Sequence, residues 1–298
     1  MTLDEALRAV LPQAPPQDKE VSAANGNVQQ LPPGGPLDRL EACMLLLHCL
    51  GRDPHERAWL LAHGSDAIES STLHQFHSLC QQRRAGVPVA YLLGHTEFYG
   101  LRLHIDPRVL DPRDDTETLV DWALELLPPQ GFCEAIDLGT GSGAIALAVR
   151  KNRPACRVWA VDRSLDALAL ARQNGEALGL PVQWRHGHWL SAVPGQSFHL
   201  IVSNPPYLAG NDPHLPRLQH EPMGALVSGP EGLEDLRDIV RTAPRHLHDK
   251  GWLLLEHGHE QAQAVQQLLR DQGFAAVQSR SDIAGILRCT GGQWLGVK

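Results

Sequence analysis

A chain of 298 residues, 43% of them apolar, can bury a full core without help from disulfides. Its net charge of −8 argues against nucleic acid as the main partner, because phosphate binding needs a basic field. No apolar run approaches the roughly 18 residues of a membrane span, and no basic segment followed by an apolar stretch marks a signal peptide, so neither a membrane partner nor export is expected. The six cysteines (Cys43, Cys49, Cys80, Cys133, Cys156 and Cys289) lack C-x-x-C spacing and read as free thiols in a reducing cytoplasm.

Met1 to Val10 suits a short helix, and Leu11 to Pro36 is rich in Pro, Gln and Gly. Residues 1–36 are therefore expected to be a flexible N-terminal segment. Three helical patterns follow. Leu37 to Leu50 stops at Gly51. A second runs to Ala62, with Asp53 as its cap and Pro54 in its first position. Thr72 to Ala85, capped by Ser71, stops at Gly86. Together they predict a small helical domain over 37–93. Gly94 to Leu110 alternates and carries aromatics, which predicts a hairpin linker over 94–114. Asp114 or Asp115 then caps a helix from Thr116 to Leu127, ended by Pro128-Pro129-Gln130-Gly131.

From 115 to 298 the pattern alternates. Strands are predicted at Ala135–Leu138, Val158–Asp162, Val182–His186, Leu200–Ser203, Trp252–His257, Ala276–Arg280 and Ile286–Thr290. Helices fall at Ser164–Leu178, Leu233–Leu247 and Glu260–Gln272. Such alternation implies an α/β fold with a doubly wound sheet. Ligands should then sit at the C-terminal edge of the strands, near the topological switch point.

Chemistry-bearing residues gather at that edge. Asp137-Leu138-Gly139-Thr140-Gly141-Ser142-Gly143 lies between a strand and the helical pattern Ala144 to Val149. Glycines let the backbone approach a ligand, and a helix N-terminus adds free N–H groups. With Ala144 the turn also fits a dinucleotide fingerprint. The next strand ends at Asp162, placed to accept a ribose diol, which both NAD and S-adenosylmethionine carry. Asn204-Pro205-Pro206-Tyr207 follows the apolar run Phe198 to Val202. Its Asn oxygen and the Pro205 carbonyl are two acceptors that could hold an NH2 group, the prolines stiffen the backbone, and Tyr207 offers a stacking face. Asp137 ahead of the glycines, together with this segment, favours the sulfonium cofactor.

The chain resembles the N5-glutamine protein methyltransferases, and within them the release-factor branch, from about Leu37 onward. The marks are Pro88-Val89-Ala90-Tyr91-Leu92-Leu93-Gly94, Glu97-Phe98-Tyr99-Gly100, Pro112-Arg113 with Asp115-Thr116-Glu117, the glycine turn, Asn204-Pro205-Pro206-Tyr207, Glu221-Pro222 with Ala225-Leu226, and Leu255-Glu256-His257-Gly258. The resemblance implies a class I S-adenosylmethionine-dependent methyltransferase sheet behind a helical domain that docks the protein substrate, a class I release factor. It implies that the Asn204 oxygen and the Pro205 carbonyl accept the two hydrogens of a glutamine amide, with Pro206 and Tyr207 completing the substrate and catalytic site. Gly139, Thr140, Gly141, Ser142 and Gly143 should line the methionine portion of the cofactor, Asp162 its ribose and Trp189 its adenine, with Asn204 reaching the cofactor as well. The family commonly has an acid before that Trp, where this chain has His188. Arg113 and Glu117 match positions near the cofactor, or form a surface ion pair at helical spacing. No metal, no stable nucleic acid and no second subunit are expected.

Two side readings and three rivals complete the picture. Three His-x-His pairs (His186/His188, His246/His248, His257/His259) could share strand faces as metal ligands, but further ligands do not cluster with them in sequence. Gly291-Gly292-Gln293 repeats the tripeptide that release-factor enzymes modify and reads as a turn joining or ending a terminal strand. The rivals are a glutamine methyltransferase of ribosomal protein L3, an adenine-N6 methyltransferase of nucleic acid, which would need a basic aromatic surface for a flipped base, and a non-catalytic scaffold.

Overall fold

The computed structural model describes residues 1–11 and 37–296. The chain divides into two compact units, Met1–Gly94 with His214–His220, and His95–Pro213 with Glu221–Lys298.

The smaller unit holds α1 (Leu3–Val10), α2 (Arg39–Cys49), α3 (Arg57–His63), α4 (Ser70–Arg84) and α5 (Val89–Leu93). Both α1 and α2 open on reciprocal capping boxes, Thr2 with Glu5 and Asp38 with Glu41. Glu41 also receives Arg83 of α4 at 2.7 Å, so one cap residue ties two helices together. The core joins Leu45, Leu46 and Leu47 of α2 to Phe76 and Cys80 of α4. It also takes in Leu3, Leu7 and Val10 of α1. That corrects the expectation of a flexible segment over 1–36, because α1 buries apolar residues at helical spacing. Residues 12–36 of that segment lie outside the described residues. α3 begins later than the cap expected at Asp53. The Asp53 carboxylate accepts the His55 N–H at 2.8 Å and closes a turn instead, and the helix starts after Glu56.

The larger unit opens on an antiparallel hairpin, β1 (His95–Phe98) and β2 (Leu101–His104). The hairpin thus belongs to this unit and is not a separate linker. A 3-10 turn, Asp114–Thr116, leads into α6 (Glu117–Leu126), with no side-chain cap from either aspartate. There follow β3 (Cys133–Leu138), α7 (Ala144–Asn152), β4 (Cys156–Asp162), α8 (Leu165–Leu178), β5 (Gln183–His186), β6 (Phe198–Ser203), α9 (Glu234–Thr242), β7 (Leu247–Glu256), α10 (Ala262–Asp271), β8 (Ala275–Ser281) and β9 (Leu287–Gln293).

The sheet order is β5-β4-β3-β6-β7-β9-β8. Neighbours from β5 to β7 are parallel, whereas β9 runs antiparallel to both β7 and β8. Alternate residues feed two core layers. Ala135, Leu200, Val202 and Leu254 face the layer of α6 and α7, while Ile136, Ile201, Leu253 and Leu255 face that of α9 and α10. The chain winds outward from β3 through β4 to β5, then returns to β6 on the other side of β3. The adjacent ends of β3 and β6 are therefore the switch point, where the following loops part and leave a crevice.

Two expectations change here. The helix expected over Leu233–Leu247 stops at Thr242. Pro244 lies in the 3-10 turn Ala243–His246, and β7 starts at once. Gly291 and Gly292 lie inside β9, in no turn. A Cβ on Gly291 would meet Leu254 Cδ2 at 2.5 Å and Trp122 Cη2 at 2.8 Å, so packing requires this glycine. The Gln293 side chain donates to the Lys250 carbonyl at 3.1 Å.

Candidate active site

The turn after β3 has Gly139, Gly141 and Gly143 at φ of 72°, 55° and 86°. Three left-handed residues in seven explain the glycine content. Their surroundings differ. Gly139 and Gly141 line a cleft that Asp162, Trp189 and Asn204 also line. Around Gly141 a Cβ would meet nothing within 4 Å. Gly143 faces the core instead, where a Cβ would lie 3.1 Å from Leu147 and 3.2 Å from Trp184. Thr140 and Ser142 are also absent from the cleft wall. The Thr140 hydroxyl donates to Asp137 Oδ2 at 2.6 Å, and the Ser142 carbonyl accepts from Asn174 Nδ2 at 2.9 Å. Of the five turn residues expected to touch the cofactor, Gly139 and Gly141 line the cleft and the other three shape the turn from behind.

Sequence reasoning overlooked Asn174. Buried on α8, it also exchanges two hydrogen bonds with the His104 backbone of β2, so it joins hairpin, helix and glycine turn. An Asn on an otherwise apolar helix face was the available signal.

Asp162 lies at the end of β4 and lines the cleft. Its Oδ2 accepts from the Gly141 N–H at 2.9 Å and its Oδ1 from the Ser164 N–H at 2.9 Å. Each carboxylate oxygen has a second lone pair, which leaves capacity for two hydroxyls. Trp189, at the unusual φ of 46°, is buried against Gly139, where a Cβ would come within 3.0 Å of its ring. Its indole N–H donates to Asp235 Oδ1 of α9 at 3.2 Å, a second residue that sequence reasoning did not find. His188 lines the cleft with its Nδ1 3.8 Å from Asp238 Oδ2.

Asn204 and Pro206 line the same cleft from the β6 side, and both prolines are buried. Asn204 Nδ2 lies 3.3 Å from Thr116 Oγ1. The Tyr207 carbonyl accepts from Gln261 at 3.0 Å, which fixes the segment from below. Burial, with the Glu256 charge nearby, holds the Tyr207 phenol well above its usual range, so it stays neutral. Neither Pro205 nor Tyr207 is part of the cleft wall. Arg113 reaches Glu221 at 2.5 Å and Asp111 at 3.7 Å, while Glu117 accepts the Tyr99 N–H at 2.7 Å.

Residues 117–221 match the methyltransferase small domain family, and residues 30–94 match the PrmC N-terminal domain. A release factor glutamine methyltransferase of Bordetella pertussis is 47% identical over 259 residues, covering 86% of this chain and 95% of its own. Another, of Xylella fastidiosa, is 45% identical over 260 residues, covering 86% and 94%. The chain belongs to the release factor glutamine methyltransferases. Among solved structures, a methyltransferase from Pyrococcus furiosus aligns with a TM-score of 0.51 at 20% identity, over 66% of this chain and 90% of that one, a likeness of fold.

A release factor glutamine methyltransferase uses S-adenosylmethionine, and the residues present suit it. Asp162 retains acceptor capacity, the Gly141 backbone is open to close approach, and Trp189 offers an aromatic surface. Behind the site lie two buried carboxyls, Asp137 and Glu256, each with one oxygen lacking a hydrogen bond. Burial pushes both up to about 7. Asp111 is also raised, to about 6, by burial, against the pull of Arg113.

Among the described residues, no group of three or more His, Cys, Asp or Glu is placed to hold a metal ion. His257 is fully buried, with Nε2 2.7 Å from the Thr290 hydroxyl and Nδ1 2.9 Å from the Gly258 carbonyl, and burial lowers its pKa. It is a core residue bonded on both nitrogens. Among the described residues no helix is long and apolar enough to cross a membrane.

Proposed function

We propose that this protein transfers the methyl group of S-adenosylmethionine to the side-chain amide nitrogen (N5) of the Gln in the Gly-Gly-Gln motif of class I peptide chain release factors. One observation carries the reading. Asn204 lines the cleft that Gly139 and Asp162 also line, and its NH2 end lies 3.3 Å from Thr116 Oγ1, with the Glu256 carboxyl close by. That leaves Oδ1 as the end available to a second amide. The names of the relatives point to the same substrate.

The bound cofactor supplies a sulfonium methyl group open to in-line displacement. This chain supplies alignment. The Asn204 Oδ1 and the Pro205 carbonyl accept the two N–H groups of the substrate amide. An amide nitrogen is a poor nucleophile because its lone pair is delocalised, and the two acceptors stabilise the positive charge that grows on it. Tyr207 packs over the amide plane. Asp162 binds the ribose, Trp189 covers the adenine, and Gly139 and Gly141 admit the methionine portion. The helical unit docks the release factor. The protein acts in the cytoplasm, as a monomer, with no stable nucleic-acid or membrane partner.

The direct test incubates the protein with tritiated S-adenosylmethionine and a purified class I release factor, followed by mass spectrometry of the Gly-Gly-Gln peptide. One methyl on that Gln is expected, and none when it is replaced by Glu, which has neither the nitrogen nor two hydrogens to donate. Labelling of ribosomal protein L3 alone would leave the family intact and overturn the substrate.

A further inference from the structure

Glu256 ends β7, next to the strand whose end carries Asn204, since Ser203 of β6 pairs in register with Leu255. The residue is 2% exposed and does not line the cleft. Its carboxylate lies close to the Thr116 and Asn204 side chains, both of which favour its ionised form. The Asn204 Nδ2 also reaches Thr116 Oγ1 at 3.3 Å, which closes a triangle of three side chains. Glu256 Oε2 has no hydrogen-bond partner. The other charged or titratable groups facing Glu256 are Asp115 ahead of α6, Arg288 and Cys289 on β9, and Tyr207 after β6. Arg288 is engaged by Asp115 and Asp282, each at 3.1 Å.

An Asn side chain has two nearly isosteric ends of opposite hydrogen-bonding character. The substrate amide needs an acceptor, so only one orientation of Asn204 is productive. The NH2 end turned toward the cleft would oppose the substrate's own N–H groups. An ionised carboxylate accepts hydrogen bonds and cannot donate them, so it can bind only the NH2 end. We propose that Glu256 is a positioning residue that locks the Asn204 amide with Oδ1 toward the acceptor glutamine. This rests on the reading above that the substrate is an amide. Thr116 relays the same constraint: its hydroxyl proton is taken by Glu256, and its oxygen is left to accept from Asn204.

The lock depends on charge. Burial raises the Glu256 carboxyl from 4.5 to about 7, so it titrates in the working range. Once protonated it can donate as well as accept, and both orientations of Asn204 become possible. Turnover should therefore rise with pH through about 7 and then level off. A Gln at 256, able to donate and accept at every pH, should give a low and flat profile.

The test compares the full-length protein with Glu256→Gln after methylation of purified release factor by the wild type has been established. Steady-state rates are measured from about pH 6 to about pH 8, alongside S-adenosylhomocysteine affinity by calorimetry. The Asn204 side-chain NH2 signal is followed by 15N NMR, assigned with Asn204→Ala. The expected result is a fall in kcat of about tenfold or more in Glu256→Gln, with KM and S-adenosylhomocysteine affinity unchanged and the pH step gone. In the wild type the Asn204 signal should titrate near neutrality, and in Glu256→Gln it should not. Wild-type kcat and pH profile in the variant would overturn the proposal, as would an Asn204 signal that ignores pH in the wild type. The NMR titration needs no turnover. It decides the proposal even if Glu256→Gln fails to fold, and a wild type inactive on release factor sinks the substrate reading instead.

Discussion

The carboxylate of Asp162 accepts the backbone N–H of Gly141 at 2.9 Å, tying the end of β4 to the glycine turn after β3. Its other oxygen accepts the N–H of Ser164, which opens α8. One side chain thus ties together two loops of the cleft wall, and each of its oxygens keeps a lone pair. Asp162→Ala should lower affinity for S-adenosylhomocysteine by roughly tenfold to a hundredfold, at about 1.5–3 kcal/mol for hydrogen bonds to a charged group. Calorimetry on the purified variant reads this directly. An unchanged dissociation constant would mean that the ribose is held elsewhere.

Asn204→Ala should separate chemistry from cofactor binding. The side chain removed is the acceptor assigned to the substrate amide, and losing one aligned acceptor costs on the order of a hundredfold in kcat. S-adenosylhomocysteine affinity should change little, because the glycine turn, Asp162 and Trp189 are untouched. Near-wild-type turnover on release factor would remove Asn204 from the reaction.

Asp137 makes stability depend on pH. Buried behind the glycine turn, its carboxyl is raised from 3.8 to about 7 chiefly by desolvation. The folded state therefore holds this proton more tightly than the unfolded chain does. That contribution to stability is fully present below about pH 4 and is lost as pH rises through about 7. Asp137→Asn cannot ionise, so its Tm relative to wild type should climb over that window and level off above it. The span from 3.8 to about 7 caps the change at about 4 kcal/mol. A Tm difference that stays flat from about pH 4 to about pH 8 would show that Asp137 is not raised.

Gly291→Ala should destabilise the sheet without touching the cleft. The added methyl would sit 2.5 Å from Leu254 Cδ2, 2.8 Å from Trp122 Cη2 and 2.9 Å from the Leu253 carbonyl, and the backbone atom among these cannot swing aside. Overpacking of this kind costs about 1–3 kcal/mol, or several degrees in Tm. Calorimetric Tm is the measurement, with S-adenosylhomocysteine affinity as the control. A variant as stable as wild type would mean that the strands part easily here.

Local rules carried the sequence reading where a residue's own neighbours decide its state. The continuous apolar runs of β3, β4 and β6 and the glycines at positive φ at Gly139, Gly141 and Gly143 depend on a few adjacent residues. The wall residues Gly139, Asp162, Trp189 and Asn204 could be chosen because motifs at strand ends must converge at a switch point. The resemblance to glutamine methyltransferases narrowed the chemistry further. Tertiary structure alone decided the rest. Sequence spacing does not say that Gly143 faces Trp184 while Gly141 faces open space, since that depends on α8 and β5 arriving from elsewhere in the chain. It does not bring Asp235 of α9 under the Trp189 indole, Asn174 against the Ser142 carbonyl, or Glu256 and Thr116 to the NH2 end of Asn204. Those pairs are separated by tens of residues or more, and a hydrogen bond at that range is fixed by the packing of whole elements, which no local pattern encodes.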